Sequence, residues 1–149
     1  MPACDLARKA KASTWSVLEI IEHLVIAQRL VLGDFDRLHQ RAPRGNRKWV
    51  PYLMVLFVLR FRIPVRAPSP RFLPNGSRSL EELRRDWDNQ HAQLLAFVTA
   101  LKRDDLQRIW FCHPIAGNLT VGQGGLMLEA HLDTHIRQVT RRSSHWQQR

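Results

Sequence analysis

Cysteines and long apolar segments are both scarce in this sequence. The 149 residues include two cysteines, Cys4 and Cys112, too few for the disulfide framework of a small secreted domain, which favours a reducing, cytoplasmic location. The N-terminal segment MPACDLARKAKAS lacks the apolar core of a signal peptide. The most hydrophobic run, VPYLMVLFVL at 50–59, is far shorter than the roughly 20 residues of a membrane-spanning helix. We therefore expect no integral membrane association.

Acidic residues are missing between positions 41 and 78. This stretch carries nine arginines and lysines, although the rest of the chain is nearly balanced and the net charge is +10. Such a block attracts phosphates, either of nucleic acid or of lipid headgroups. Because the sequence contains no nucleic-acid-binding motif, the favoured interpretation is a solvated, arginine-rich connection, and nucleic acid is not an expected partner. Binding of nucleic acid or an anionic surface through residues 41–78 is the alternative.

The sequence also lacks the alternation of polar and apolar residues that marks a half-buried strand, so we expect no strands. Helix starts are present instead. Three capping boxes, each a hydroxyl residue followed three positions later by Glu or Gln, occur at Ser16 with Glu19, Ser79 with Glu82, and Thr120 with Gln123. Apolar residues at helical spacing extend these helices to about Gln40, Leu101 and Arg142. A shorter apolar helix is predicted at 49–62, ended by Pro64.

The connections between these helices are rich in proline and glycine, as in RAPRGNR, IPVRAPSPRFLPNGS and CHPIAGN. Capped amphipathic helices joined by such loops predict a single all-α domain over residues 1–149, built as a helical bundle. Within it we expect residues 1–13 to be irregular and residues 41–78 to form an Arg/Pro-rich connection with one short helix.

Two histidines four residues apart occur in EAHLDTHIRQ at 129–138. On one helix, residues i and i+4 lie about 6 Å apart along the axis, so His131 and His135 can both point at one ion. A catalytic metal site commonly takes a third protein ligand and leaves one position open. His23, beside the apolar stripe of the first helix, and His91, on the helix that follows Ser79, are the candidates. From spacing alone, hydrogen-bonded, half-buried histidines are the favoured interpretation, and a metal site is the alternative.

Two segments resemble the DinB/YfiT-like superfamily. TWSVLEIIEHL at 14–24 is similar to the family helix that follows a Trp-Ser start and carries the first metal histidine. HPIAGNLTVGQGGLMLEAHLDTHIRQV at 113–139 is similar to the closing segment, which has a His-Pro, a Gly-x-Leu-Thr and a helix with His-x3-His. The resemblance implies a DinB-like, up-and-down four-helix bundle in which His23, His131 and His135 bind a metal.

The resemblance also implies a function. Members of this superfamily hold zinc, nickel or a similar divalent ion, and many are homodimers. Some are S-transferases that use a low-molecular-weight thiol, and others are described as metal-dependent hydrolases. We therefore expect a metal-dependent enzyme that activates a thiol or water toward a small electrophilic substrate. A non-catalytic, stress-associated metal-binding or interaction bundle is the alternative.

Carboxylates near the histidines are candidates for a supporting role. Glu19 lies one turn before His23 and is the weak candidate for orienting it or acting as a base. The other nearby carboxylates are Glu22, Glu129 and Asp133, and for all four the favoured interpretation is a solvated position on a helix flank. Gln138, one turn beyond His135, fits a hydrogen-bonding support.

In one respect the chain departs from the family pattern. Members have a full helix before the Trp-Ser start, whereas fourteen residues precede Trp15 here. We expect that helix to be lacking, through a shortened gene model or because a neighbour takes its place. Its absence predicts an apolar groove along the bundle.

Overall fold

The computed structural model describes residues 6–9, 14–39, 49–61, 63 and 69–147. These residues form four α-helices, named here α1 (Val17–His39), α2 (Trp49–Phe61), α3 (Leu80–Ala100) and α4 (Val121–Gln147). Two strands, β1 (Ile109–His113) and β2 (Gly117–Thr120), precede α4, and short 3-10 helices lie at Pro70–Phe72 and Arg103–Gln107. The predicted helical bundle is confirmed.

All three predicted capping boxes begin helices. At the start of α1, the Ser16 N–H donates to Glu19 Oε2 at 2.7 Å, and the Glu19 N–H donates to Ser16 Oγ at 3.1 Å. The same reciprocal pattern starts α3 at Ser79 and α4 at Thr120. These bonds satisfy amide groups that have no partner inside the helix. The helix that starts at Thr120 is longer than predicted, since it continues past Arg142 to Gln147.

The two strands form an antiparallel hairpin in which His113 pairs with Gly117. Gly117 has a φ of 73°, a left-handed conformation that glycine adopts without strain. The expectation of no strands is therefore wrong. Ile109, Trp110 and Phe111 are consecutive and all buried, so β1 is apolar on both faces and shows no alternation in sequence.

The core lies where α1 and α4 meet the hairpin. Ile20 and Val25 of α1 are completely buried, and Trp110 of β1 packs in one cluster with Leu119 of β2 and Met127 of α4. Full burial of an apolar side chain of this size contributes about 1.5–3 kcal/mol. The core therefore holds α1 and α4 side by side, which places their inward polar residues opposite one another.

Some expectations concern residues outside the described part of the chain. Most of the segment before Trp15, where the family's first helix would lie, falls there, and so do residues 41–48, 62 and 64–68 of the arginine-rich connection. Among the described helices, none has the length and apolarity needed to cross a membrane.

Candidate metal centre

Three histidines from two helices converge on one point. His23 belongs to α1, whereas His131 and His135 lie one turn apart on α4. His131 Nε2 is 3.2 Å from His23 Nε2 and 2.9 Å from His135 Nε2. Within the described residues, these three form a group whose possible ligand atoms all lie within 4.8 Å of one another. The structure thus brings the predicted trio together, while His91, the other candidate, is exposed on α3.

Hydrogen bonds determine which ring nitrogen of His23 and His135 carries the proton. The Nδ1–H of His23 donates to the carbonyl oxygen of Phe72 at 2.7 Å, and a carbonyl oxygen can only accept. The Nδ1–H of His135 donates in the same way to Oε1 of Gln138 at 3.0 Å. In both neutral rings the Nε2 atom therefore keeps its lone pair, as a metal ligand must. The predicted supporting role of Gln138 matches this contact.

His131 stands between these two lone pairs. A neutral imidazole has at most one N–H at Nε2, so only one of the two short N–N contacts can be a good hydrogen bond. In a tetrahedral zinc site with Zn–N bonds of about 2.0–2.1 Å, neighbouring ligand nitrogens lie roughly 3.3 Å apart. The distance from His131 to His23, 3.2 Å, is close to that value, and the distance from His131 to His135, 2.9 Å, is somewhat shorter. The donor set therefore fits a divalent ion, and the three histidines could hold one.

Burial keeps the three rings neutral. Burial, together with the smaller effects of the nearby His135, His23 and His113, lowers the pKa of His131 to about 3. The pKa of His135 is lowered to about 4, first by burial and then by His23. Burial also lowers the pKa of His23 below its ordinary value. At neutral pH, protons therefore do not compete with a metal ion for these nitrogens.

The segment that holds His23 is itself attached to α1 by a buried carboxylate. The Gly76 N–H donates to Glu22 Oε2 at 2.8 Å, and Glu22 is only 2% exposed. Gly76 has a φ of 72°, and a Cβ at this position would lie 3.4 Å from Glu19 Oε1. The expected solvated position of Glu22 is thus wrong, because the segment before α3 covers this face of α1.

Glu19 stabilises the start of α1. Its carboxylate accepts the Ser16 N–H and lies 2.8 Å from the Lys9 ammonium. Burial alone would raise the pKa of Glu19, but the hydrogen bonds from Lys9 and Ser16 outweigh it and lower the pKa. A lowered pKa makes this carboxylate a weaker base. Its contacts account for the capping box, and a catalytic role for Glu19 stays a prediction.

The remaining carboxylates lie on helix flanks, as predicted. Asp133 forms an ion pair with Arg137 at 2.9 Å, with both side chains about half exposed, and Glu129 is exposed. The sequence patterns missed the contacts of Phe72 and Glu22, because both involve the backbone of a loop that carries no periodic signal. The turn residues Asn75 and Gly76 were the available sign that the chain folds back there.

Comparison with known proteins agrees with this arrangement. A family model described as the DinB superfamily matches residues 1–139. The chain is 25% identical over 134 residues to the uncharacterized protein YuaE of Bacillus subtilis (strain 168), and the match covers 90% of this chain and 80% of that protein. No solved structure matches. With four helices, a small hairpin and a family match over nearly its whole length, this chain belongs to the DinB superfamily.

Proposed function

We propose that this chain binds a divalent ion, zinc or nickel, through His23, His131 and His135, and that it catalyses thiol transfer to, or hydrolysis of, a small electrophilic substrate. The supporting observation is the convergence of three Nε2 atoms. In His23 and His135 the Nε2 atom keeps its lone pair, because the Nδ1–H of each ring donates to Phe72 or Gln138. An ion with three protein ligands has an open position, where it lowers the pKa of water or a thiol toward neutrality.

The chain's own residues orient and shield the ligands. Phe72 and Gln138 set the ring orientations and tautomers of His23 and His135, a contribution that raises ligand basicity and metal affinity. The Trp15 ring packs beside His23, with ring centroids 4.9 Å apart, and so limits the access of water from that side. The attachment of Gly76 to Glu22 holds the segment that supplies the Phe72 carbonyl.

Metal content tests the ligand set. The purified wild type and the variants His23→Ala, His131→Ala and His135→Ala should be analysed by inductively coupled plasma mass spectrometry, with His91→Ala as the matched control. We expect near-stoichiometric metal in the wild type and the control, and loss of metal in the other three. A wild type that is free of metal and cannot be reconstituted would contradict the proposal.

Activity requires a second measurement. The metal-loaded wild type should be screened with low-molecular-weight thiols and small electrophiles, and for hydrolysis of the same electrophiles, before and after chelation. Turnover that disappears with the metal and returns on reconstitution would support the enzymatic function. Full metal occupancy without turnover would instead favour the non-catalytic metal-binding bundle.

A further inference from the structure

One face of α2 is apolar and exposed to solvent. Its side chains, all at least half exposed, are Trp49, Val50, Leu53, Met54, Phe57 and Phe61. At about 100° per residue, these positions fall on one continuous side of the helix. Single exposed apolar side chains are ordinary, but a contiguous group of this size marks an interaction surface. We call this group the α2 face.

Packing holds the α2 face outward. On the opposite side of the helix, Tyr52 is buried in the core, and Val55, Leu56 and Leu59 pack against the same core cluster. The Thr134 hydroxyl of α4, whose one proton is shared with the Ala130 carbonyl at 2.8 Å, also donates to the carbonyl oxygen of Leu59 at 3.1 Å. Rotation of α2 to bury the α2 face would therefore expose the core side and break this bond.

The charged residues that neighbour α2 in sequence all have one sign. Arg47 and Lys48 precede the helix in sequence, Arg60 is exposed in its last turn, and Arg62 follows it. No acidic residue occurs anywhere between positions 41 and 78. An apolar face that carries the exposed Arg60 in its last turn, with only cations among its charged neighbours in sequence, is complementary to a surface that offers both an apolar layer and anionic headgroups.

We propose that the α2 face docks on the surface of an anionic phospholipid bilayer. The apolar side chains enter the boundary between headgroups and acyl chains, and the flanking cations contact phosphates. The 13 residues of α2 are too few to span a bilayer, so the binding is peripheral.

Two other occupants fit less well. A two-fold contact between copies of this chain would place the same surface on both sides, so each copy would present the cation Arg60 to a surface that carries the same charge. The predicted homodimer would therefore use another surface. Nucleic acid would satisfy the cations but would leave six large apolar side chains in water.

Vesicle co-sedimentation of the full chain tests the proposal. Vesicles of phosphatidylcholine alone would be compared with an equimolar mixture of phosphatidylcholine and phosphatidylglycerol. The test variant is Leu53→Ser/Phe57→Ser, and the matched control is Leu95→Ser/Val98→Ser, which removes two side chains of α3 that are 58% and 50% exposed. Circular dichroism melting would check that both variants fold.

We expect binding to the mixed vesicles by the wild type and the α3 control, and at least about tenfold weaker binding by the α2 variant. Arg60→Ser should weaken binding about fivefold, and added salt should weaken it further. Quenching of tryptophan fluorescence by brominated phospholipid, reduced in Trp49→Phe, gives a second readout that leaves the apolar face intact.

Several outcomes would overturn the proposal. Absence of vesicle binding, or equal binding by the wild type and the α2 variant, would show that the α2 face does not enter the bilayer. A wild-type dimer that the α2 variant converts to monomer, as measured by light scattering, would assign the face to a second copy. Salt-sensitive binding to a mixed-sequence DNA duplex, unchanged in the α2 variant and without vesicle binding, would assign the cations to nucleic acid.

Discussion

At the scale of single residues, the candidate metal centre depends on the groups that accept hydrogen bonds from the Nδ1–H of His23 and His135. His23 is oriented by a backbone carbonyl, and that carbonyl belongs to a segment attached to the same helix through Glu22 and Gly76. The buried Glu22 carboxylate, one residue before His23, thus influences His23 through the segment that carries Phe72 and Gly76 rather than by direct contact. Such outer contacts commonly change metal affinity by about 10–100-fold.

Glu22→Ala should weaken metal binding by about tenfold, because the Gly76 N–H loses its acceptor and the Phe72 carbonyl holds His23 less firmly. Glu22→Gln keeps an acceptor oxygen and should restore most of the affinity. Zinc titration against a competing chelator measures both. Glu82→Ala is the control, since it disrupts the cap of α3 without touching the metal centre. Equal zinc affinities for the wild type and Glu22→Ala would rule out this positioning role.

The buried histidines should also make the metal-free protein sensitive to acid. Their pKa values in the folded state, about 3 for His131 and about 4 for His135, lie below the ordinary value near 6.5. Above pH 6.5 both folded and unfolded states are neutral at these groups. Below it the unfolded state binds protons that the folded state does not, so the free energy of unfolding falls as the pH drops toward about 4.

Urea denaturation of the chelator-treated protein at pH 7 and pH 5 measures this effect. Each histidine can contribute up to about 1.4 kcal/mol per pH unit within that window. The variant His131→Gln/His135→Gln removes both groups and should lose less stability over the same interval. An identical pH dependence for the wild type and this variant would show that the rings do not control acid sensitivity.

At the scale of elements, the position of α4 depends on its close approach to the hairpin. A Cβ on Gly124 would lie 2.7 Å from the Trp110 ring and 2.8 Å from the Phe111 ring, whereas a Cβ on Gly125 would meet nothing within 4 Å. The absence of a side chain at Gly124 therefore lets the first turns of α4 rest on β1. His131 and His135 follow about two and three turns later on the same helix, so this contact helps to determine where they lie.

Gly124→Ala and Gly125→Ala form a matched pair that tests this contact. Gly124→Ala should lower the free energy of unfolding by about 1–3 kcal/mol, because the aromatic rings of β1 must move. Gly125→Ala should raise it by up to about 1 kcal/mol, since alanine is the better helix former and the space is open. Thermal melting of both variants would give opposite shifts; a loss for Gly125→Ala equal to that for Gly124→Ala would contradict the assignment.

At the scale of the whole molecule, the histidine cluster joins distant parts of the chain. His23 and His131 are separated by 108 positions and lie on the two helices that flank the core. An ion bound by all three histidines would link α1 to α4 in the folded state only. Metal binding should therefore appear as increased stability of the entire domain.

Zinc at about 100 times its dissociation constant should stabilise the folded protein by about 2.7 kcal/mol, which corresponds to a rise in Tm of roughly 5–10 °C for a domain of this size. Scanning calorimetry with and without zinc measures the shift. His135→Ala, which leaves two candidate ligands, should show a much smaller rise. An unchanged Tm in the wild type would contradict a site shared between α1 and α4.

Some features of this protein were determined by the sequence alone. The starts of α1, α3 and α4 depend on hydrogen bonds between residues three positions apart, and the pairing of His131 with His135 depends on a spacing of four. Such contacts are local, so the residues that make them are visible in a short window of sequence. The resemblance to the DinB/YfiT-like superfamily favoured His23 over His91 and implied the four-helix architecture, and the family match supports that architecture.

Other features were decided only by the tertiary structure. The hairpin formed because β1 packs between elements on both faces, a situation that produces no alternating pattern. Glu22 was buried by a segment 54 positions away, and the exposed side of α2 became distinct from its core side only when α4 packed against it. Each of these features depends on surfaces that the packing of the core brings together. When a distant part of the chain buries a residue, the residues next to it in sequence carry no pattern that predicts the burial.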